Sequence, residues 1–324
     1  MYIYLNKKFT ESTKYSLNHI IQTKHKHISI LISGGQDSLC LIKIIEDIKK
    51  NSSISLNIQY IYIDHQWRRD SKKQIKHIIN YIKSYNSMIT IYEIKQLFYS
   101  EAQARKLRYQ IINYHIYHDN NNLIITGHSL TDKIETFFNN LFRGTSIDGA
   151  TSLTRSRYIN NKIKIIRPLL NLNRYDIQWF CRHFCLPIWS DSTNIEYTIK
   201  RNRIRHELIP YLKNYFFAKI ESNINQFLNI SLIENEYIKQ NTIKIYLYIR
   251  HQYKIAINYK IIKSQHIAIQ KRIIQLFYFH HFNLFLTKTI IKKIIFFINN
   301  TSCNHKILYN NKTICLNETW IYFI

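Results

Sequence analysis

Residues 33–38, with the sequence SGGQDS, combine residue types that bind phosphate. The hexapeptide follows the apolar run ISILI, which is typical of a buried strand, and precedes apolar residues at helical spacing. A glycine-rich turn between strand and helix presents backbone N–H groups to an anion. Ser33 and Ser38 add hydroxyl donors, and Asp37 is placed to hold magnesium beside phosphates. The pattern predicts a phosphate-binding loop; a serine-capped turn is the alternative, and the lysine of the G-x-x-x-x-G-K-[ST] loop is missing.

A pair of carboxylates, Asp132 and Glu135, follows another strand-like run, LIITG. Residues three apart lie on one face of a helix. A helix that follows a strand of a parallel sheet begins at the carboxyl edge, where such folds bind ligands. A D-x-x-E pair is more often a solvated helix face. The Gly127-His128 turn before the pair and Arg143 after it favour a site instead.

Two clusters of arginine are spaced to contact phosphates. The segment ARKLRY places Arg105 and Arg108 three residues apart on one helix face. The segment KRNRIRH at 200–206 holds three arginines beside an asparagine, namely Arg201, Asn202, Arg203 and Arg205. A solvated charged helix is the alternative for this second cluster.

The elements that must position these residues alternate in the first half of the chain. Apolar runs predict strands at 28–33, 56–64, 88–94, 122–128 and 162–168. Segments with helical spacing lie between the first four, and one more follows the last. This rhythm predicts an α/β fold, a doubly wound parallel sheet with helices on both faces. Residues 1–20 are expected to form a short helix before the first strand.

The second part of the chain has a different pattern. From Tyr211 to the end there is neither glycine nor proline, and long Ile- and Tyr-rich stretches predict helices. The last residues alternate as in a hairpin. We therefore expect a catalytic domain at 1–215 and a smaller, mostly helical C-terminal domain at 216–324.

The formal net charge of +26 indicates a polyanionic partner. A coding bias towards A and T contributes some of the lysines, so the distribution of charge along the chain is more informative than the net charge. After Pro210 the acidic residues are only four: Glu221, Glu234, Glu236 and Glu318. This asymmetry favours RNA as the partner, and we expect the C-terminal domain to bind it.

The cysteines and the hydropathy exclude other classes of protein. Five scattered cysteines argue against a disulfide scaffold. Cys181 and Cys185 are predicted to be buried free thiols, because no second pair completes a metal site. No stretch is long and uncharged enough to cross a bilayer, and the first residues lack the order of a signal peptide.

The motifs together resemble a known family. SGGQDS is similar to the pyrophosphate-binding loop of the ATP pyrophosphatases that form adenylates. Four further motifs follow in order: EAQARKLRYQII, TGHSLTDKIETFFNNLFRG, IIRPLLNLNRYDI and WSDSTNIEYTIKRNRIRHELIPYL. From about Ser33 to Leu212 the chain is identified as a member of the tRNA(Ile)-lysidine synthetase family, with the adenine-nucleotide alpha-hydrolase-like fold.

This resemblance implies a reaction and a set of site residues. ATP and Mg²⁺ would adenylate the wobble cytidine of a CAU-anticodon tRNA(Ile), and free L-lysine would displace AMP. The catalytic candidates are Asp132, Glu135, Arg108 and Arg143. The candidates for ATP binding are Ser33, Gly34, Gly35, Gln36, Asp37, Ser38, Gly127 and His128, with Asp37 also the magnesium ligand. The candidates for tRNA binding are Arg201, Asn202, Arg203 and Arg205.

The sequence departs from the usual family pattern at two places. Ser129 and Thr131 stand where a histidine and an aspartate are typical, which leaves Asp132 as the main catalytic candidate. Gln66 and Trp67 replace a His-Gly-Leu turn. In these places the chain is similar to plastid and cyanobacterial members. We therefore expect the plastid stroma, with the bacterial cytoplasm as the alternative; the sequence leaves the oligomeric state open, a homodimer included.

Two other functions compete with this interpretation. One is a related tRNA enzyme that thiolates a base; those acting on cytidine carry Cys-x-x-Cys pairs, and this chain has none. The other is a basic RNA-binding protein whose nucleotide site is inactive. Exchange between ATP and pyrophosphate in the presence of tRNA separates the second from an enzyme.

Overall fold

The computed structural model describes residues 27–51, 56–64, 66, 71–94, 101–119, 123–159, 163–189, 200–300, 305–309 and 312–324. The helix expected within residues 1–20 and the Trp67 position lie outside these ranges. The chain divides into two compact units, Met1–Leu228 and Asn229–Ile324. The division lies 13 residues beyond the boundary predicted at 215/216 and falls within a long helix.

A six-stranded sheet with the order β3-β2-β1-β4-β6-β5 forms the centre of the first unit. Its strands are β1 (His27–Ile32), β2 (Asn57–Asp64), β3 (Met88–Glu93), β4 (Leu123–Thr126), β5 (Ser156–Ile159) and β6 (Ile163–Ile166). All neighbours pair in parallel except β5, which pairs antiparallel with β6 at the edge. The predicted doubly wound α/β fold is confirmed; the antiparallel edge strand was not predicted.

The helices of this unit connect the strands. They are α1 (Gln36–Asn51), α2 (Ser71–Lys83), α3 (Glu101–Asp119), α4 (Leu130–Phe142), the short α5 (Ile147–Ala150) and α6 (Arg174–His183). The strands β1 and β4 are apolar and buried, as a parallel sheet covered on both faces requires. Burying each isoleucine in these strands stabilises the fold by about 1.5–3 kcal/mol.

The strand order creates a crevice at one edge of the sheet. The chain runs from β1 outwards through β2 to β3, then returns to place β4 on the other side of β1. Where the order reverses, the loops after β1 and β4 separate, and ligands of open α/β sheets bind outside the carboxyl ends there. The loop 33–38 follows β1, and the segment 127–129 follows β4. Both predicted ligand-binding segments therefore lie where the strand order reverses.

A composite helix carries the KRNRIRH segment. It consists of α7 (Lys200–Arg203), a π-helical turn (Ile204–Leu208) and α8 (Ile209–Tyr215). The Ile209 N–H donates to the Ile204 carbonyl, which is the i→i−5 bond of a π turn. Pro210 explains the irregularity, because it has no N–H for the His206 carbonyl and its ring crowds that carbonyl.

The second unit combines helices with a small antiparallel sheet of order β7-β10-β9-β8. Its elements, with the helix that leads into it, are α9 (Ile220–Ile249), β7 (Ala256–Asn258), α10 (Tyr259–Lys263), α11 (Ile267–Phe282), α12 (Lys288–Asn299), β8 (His305–Tyr309), β9 (Lys312–Leu316) and β10 (Trp320–Phe323). The mostly helical character is confirmed, and the expected terminal hairpin is β8–β9. Among the described residues, no helix is long and apolar enough to span a membrane.

The cysteines illustrate how far a pattern predicts burial. The four described cysteines are free thiols. Cys40, on α1, and Cys181, on α6, are buried in the core. The prediction for Cys185 was wrong, because its side chain is exposed. Cys185 lies just beyond the end of α6 with a φ of 48°, where the chain turns away from the helix and its apolar face.

Candidate active site

The loop 33–38 is closed by its own serines. The Ser33 N–H donates to Ser38 Oγ at 2.9 Å, and the two hydroxyl oxygens lie 3.0 Å apart. The Ser38 and Leu39 N–H groups donate to the Gly35 carbonyl at 3.0 and 3.1 Å as α1 begins. These bonds fix the loop around the N-terminus of α1, where the helix dipole favours an anion.

Two glycines in this region are required by their surroundings. Gly34 has a φ of 76°, and a Cβ there would overlap Ile78 and approach the Gln74 Nε2 at 2.9 Å. A Cβ on Gly127 would lie 3.3 Å from the Asp37 carbonyl oxygen. The backbone after β4 therefore passes close to the start of α1. Gly35 has more space, since its nearest neighbour would be Ser33 Oγ at 3.8 Å.

A cavity of about 420 Å³ opens beside this loop at the carboxyl ends of β1, β2 and β4. Eight of the predicted site residues line it: Ser33, Asp37, Ser38, Arg108, Gly127, His128, Asp132 and Arg201. The structure thus brings together residues that are up to 168 positions apart in the chain. Arg108 is exposed. Its neighbour Arg105 lies over the Tyr109 ring at 5.7 Å and does not line the cavity.

Asp132 is fixed at the N-terminus of α4. Its Oδ2 accepts the Ser129 N–H at 2.8 Å and the Ser129 hydroxyl at 3.1 Å, which is a capping box. Its Oδ1 accepts Arg201 Nη2 at 2.6 Å. Burial alone would raise the pKa of Asp132, but Arg201, His128 and the Ser129 N–H outweigh burial and hold the pKa below its usual range. Asp132 therefore faces the cavity as a carboxylate.

Glu135 is fully buried and holds two arginines. Arg201 Nε donates to its Oε2 at 2.5 Å, and Arg205 Nε donates to its Oε1 at 2.5 Å. Arg205 Nη2 also donates to Oε2 at 3.1 Å. Both carboxylate oxygens are occupied, so Glu135 positions the two arginines and does not reach the cavity. A buried charge must be paired in this way, because desolvation of an isolated carboxylate is costly.

The predicted tRNA-binding cluster separates into two faces. Arg201 and Arg205, four residues apart, point inwards to the carboxylates of α4. Asn202 is buried. Arg203 is exposed, and its Nε donates to Glu207 Oε2 at 3.0 Å. Arg203 is thus the cation of this cluster that faces outwards.

Arg143, predicted to act in catalysis, lies elsewhere. It caps the C-terminus of α4 and lines a second cavity together with Lys200 and Arg203. It does not line the cavity that holds Ser33 and Asp132. Gly34, Gly35 and Gln36 belong to the loop but do not line that cavity either.

Besides Asp132, two titratable groups on the cavity have shifted pKa values. Burial, with the nearby charge of Asp132, raises the pKa of Asp37 to about 7 despite the arginines around it. Burial lowers the pKa of His128 to about 4, helped by Arg167 and opposed by Asp132. His128 is therefore neutral, and its Nδ1 lies 2.9 Å from the Thr126 hydroxyl.

The donor set fits a magnesium ion that arrives with a nucleotide. Within the described ranges, no group of three or more His, Cys, Asp or Glu side chains is placed to hold a metal by itself. Mg²⁺ usually takes only one or two carboxylates and completes its shell with substrate phosphates and water. Asp37 offers one such oxygen donor beside the phosphate loop.

Sequence reasoning missed Asp64. This residue ends β2, is buried, lines the cavity, and its Oδ1 accepts the Gln66 N–H at 2.9 Å. Gln66 has a φ of 54°, so the turn after β2 is tight. The signal was present, because an aspartate at the carboxyl end of a parallel strand lies at the same edge as the loop after β1. Ser71, Gln74 and Thr126 also line the cavity and were not predicted.

The fold and the cavity define a class of protein, the PP-loop ATP-binding domains. Residues 6–212 match the family model described as a PP-loop domain. A solved structure with a similar fold is the U34-tRNA thiolase NcsA from Methanococcus maripaludis, with a TM-score of 0.56 over 69% of this chain and 79% of that chain. The two are 15% identical, so this likeness concerns the fold alone.

The relatives identify the family within that class. The chloroplastic tRNA(Ile)-lysidine synthase of Gracilaria tenuistipitata var. liui is 52% identical over 294 residues, 91% of either chain. That of Pyropia yezoensis is 37% identical over 98% of this chain and 95% of the relative. The enzyme of a Nostoc species is 37% identical over 69% and 66%. The chain belongs to the tRNA(Ile)-lysidine synthase family, which confirms the resemblance found in its motifs.

Proposed function

We propose that this protein is an ATP-dependent ligase that attaches lysine to the wobble cytidine of a CAU-anticodon tRNA(Ile). The product, lysidine, lets the tRNA read AUA and be charged with isoleucine. One observation carries this proposal: the phosphate loop, Asp132 and Arg201 share one cavity in a chain that matches lysidine synthases over nearly its whole length.

The first step would join AMP to the cytidine. The carbonyl oxygen at position 2 attacks the α-phosphorus, the bond to the bridging oxygen breaks, and pyrophosphate leaves. The N-terminus of α1, which begins within the loop 33–38, would stabilise the charge on pyrophosphate through the helix dipole. Arg108, on the cavity and exposed, is placed to neutralise phosphate charge as well.

The second step would form the carbon–nitrogen bond. The neutral ε-amine of L-lysine attacks carbon 2, the bond from that carbon to oxygen breaks, and AMP leaves with the oxygen. The nitrogen loses one proton. Asp132 is a carboxylate on the cavity, so it is the group we assign to orient the neutral ε-amine and to accept that proton. Glu135 acts through Arg201 and Arg205, which it holds in place.

Asp37 would hold magnesium, which would neutralise charge on the β and γ phosphates as ATP binds. A bound cation would favour the ionised carboxylate of Asp37, whose pKa is raised by burial and by the charge of Asp132.

The proposals for the partner RNA and for the compartment rest on the charge of the chain and on its relatives. The excess of Lys and Arg after Pro210 supports tRNA binding by residues 216–324. We assign the protein to the plastid stroma, with a bacterial cytoplasm as the other setting, because its relatives include chloroplastic and cyanobacterial enzymes. The homodimer left open by the sequence is to be tested by equilibrium sedimentation.

Base thiolation is the second candidate, and the sequence disfavours it. The thiolase with a similar fold carries a [4Fe-4S] cluster. This chain has no Cys-x-x-Cys pair, and Cys40 and Cys181 are buried in the core. The alternative of an inactive RNA-binding protein does not account for the preserved loop.

An assay of AMP and pyrophosphate release tests the proposal. We expect AMP release only when ATP, lysine and a CAU-anticodon tRNA(Ile) transcript are all present, whereas a single turnover of pyrophosphate release requires only ATP and the transcript. A transcript with a CAU anticodon from a methionine tRNA is the matched control for RNA specificity. Repeated release of AMP without any requirement for lysine would contradict the ligase assignment, because lysine is what displaces AMP in the second step.

A further inference from the structure

A second cavity, of about 680 Å³, lies in the first unit between the C-terminal end of α4 and the composite helix 200–215. No step proposed above uses it. Six of its lining residues carry the chemistry: Phe142, Arg143, Lys200, Arg203, Glu207 and Tyr211. Its volume is large enough for a nucleotide-sized group.

The charges of this cavity favour an anion. It has three cations, Arg143, Lys200 and Arg203, and one carboxylate, Glu207. Glu207 is paired with Arg203, and this pair is exposed to solvent, so breaking it costs at most about 1 kcal/mol. Within the described ranges, Arg143 and Lys200 have no carboxylate within ion-pair distance. An incoming phosphate would therefore meet three cations at little cost.

The walls of the cavity also carry exposed aromatic rings. Phe142 is 65% exposed and Tyr211 is 52% exposed, although both are large apolar side chains. The Phe142 ring is stacked on Phe138 with the ring centroids 5.9 Å apart, and the centroid of the Tyr211 ring lies 4.9 Å from that of Tyr215. Exposed rings beside cations are the arrangement that binds single-stranded RNA, where bases stack on aromatics and cations hold phosphates.

The cavity is coupled rigidly to the active site. Asp132 and Arg143 stand at the two ends of α4, about 16 Å apart along the helix axis. Glu135, between them, is locked to Arg201 and Arg205 of the facing helix. Buried apolar residues join the same two helices: Leu130, Ile134, Ile204 and Ile209. The second cavity is thus held at a fixed distance from the reacting atoms.

We propose that this cavity binds the single-stranded RNA next to the modified cytidine. Arg143, Lys200 and Arg203 hold its phosphates, and a flanking base stacks on Phe142. This inference rests on the proposed function, and it assigns Arg143 to RNA positioning instead of to the chemical steps. An acidic peptide would satisfy the cations but has no base to stack, so RNA fits both features of the cavity.

The test uses the full-length protein and an RNA anticodon stem-loop with the CAU sequence, with binding followed by fluorescence anisotropy. The variants are Arg143→Ala, Phe142→Ala and the conservative Phe142→Trp. Matched controls remove the same groups elsewhere: Arg182→Ala on α6 and Tyr117→Ala on α3, both exposed and outside the two cavities. A second set of RNAs carries a single abasic residue at each position flanking the wobble cytidine.

We expect Phe142→Ala to weaken RNA binding about 5- to 100-fold, and Phe142→Trp to restore it, because stacking needs only an aromatic face. Arg143→Ala should weaken binding and lower the slope of affinity against salt by about one, which Phe142→Ala should not do. In the native protein, one of the abasic RNAs should bind more weakly than the intact RNA. In Phe142→Ala this difference in affinity should disappear, as expected if the missing base and the Phe142 ring are in contact. The affinity for ATP should stay within about twofold.

RNA binding equal to that of the Arg182→Ala and Tyr117→Ala controls would overturn this inference, and would leave an anion other than RNA as the occupant. The inference would also be overturned if Phe142→Ala left the effect of every abasic residue on RNA affinity unchanged. Failure of the proposed function would look different: RNA would bind, with or without these contacts, but no AMP would be released with lysine.

Discussion

Arg201 Nη2 donates to Asp132 Oδ1 at 2.6 Å, although the two residues are separated by 69 positions in the chain. This contact joins the segment predicted to bind tRNA to the carboxylate predicted to act in catalysis. Arg201 keeps Asp132 ionised, and Asp132, with Glu135, keeps Arg201 at the cavity. The basic motif therefore belongs to the active site by its inner face and to the outer surface by Arg203.

Replacing Asp132 by asparagine should reduce lysine transfer by at least about 100-fold, because the shape is retained but the charge and the proton acceptor are lost. Asp176→Asn is a matched control. Asp176 is also the third residue of a helix, α6, and also forms a capping box, with Asn173, but it does not line the cavity. Turnover numbers of the two variants check this. Equal, near-native turnover in both would contradict the role of Asp132.

Glu135→Gln should destabilise the protein by about 3–5 kcal/mol, because two arginines lose a buried partner. The control is Glu207→Gln, which breaks the exposed pair with Arg203 and should change stability by less than about 1 kcal/mol. Urea unfolding of both variants gives the comparison. A loss in Glu135→Gln no larger than in the control would show that the buried network does not hold the two helices together.

Gly34→Ala and Gly35→Ala should show which glycine is needed for stability and which is needed for the approach of the ATP phosphates. Alanine at 34 meets Ile78 and a positive φ, so it should lower stability by more than 1 kcal/mol, roughly. Alanine at 35 has space in the protein, so this variant should fold normally. It should still bind ATP more weakly if the phosphates contact the loop backbone. Thermal unfolding and ATP titration of each variant measure the two effects; normal ATP affinity in Gly35→Ala would place the phosphates away from this loop.

The raised pKa of Asp37 predicts a dependence of stability on pH. The folded protein retains a proton on Asp37 up to about pH 7, whereas the unfolded chain loses it near 3.8. Stability is therefore lost as the pH rises between these values. Asp37→Asn removes this titration. The variant should match the native protein near about pH 4 and be more stable at about pH 8, while losing ATP-dependent activity.

Unfolding curves at several pH values check the Asp37 prediction. The control is Asp47→Asn, at the partly exposed pair with Lys43 on the same helix, which should not become more stable with rising pH. A constant difference between Asp37→Asn and the native protein across the pH range would contradict the shifted pKa.

The fold of the first unit could be predicted because its signals are local. Runs such as ISILI and LIITG are apolar over the length of a strand, and the glycines and serines between them mark the turns. The position of the cavity follows from the rule that ligands bind at the carboxyl edge. Asp64 was missed because its position at the end of a strand is the whole of its signal, with no second residue at a diagnostic spacing.

The faces of the basic helix could not be predicted. Arg201, Arg203 and Arg205 look equivalent in the sequence, and only the packing of the composite helix on α4 shows which two point inwards. The π turn before Pro210 also changes the angular positions that a regular helix would give. Arg143 was predicted to neutralise phosphate charge in catalysis, but a helix of 13 residues places its C-terminal end well away from Asp132.

The incorporation of labelled lysine tests the central claim most directly. The full-length protein is incubated with ATP, labelled L-lysine and a CAU-anticodon tRNA(Ile) transcript, and the RNA is digested to nucleosides. We predict that label appears in one modified cytidine, in equal amount to the AMP released, and that Asp132→Asn abolishes it while Asp176→Asn does not. Unlabelled RNA in the presence of an active, ATP-binding protein would contradict the account.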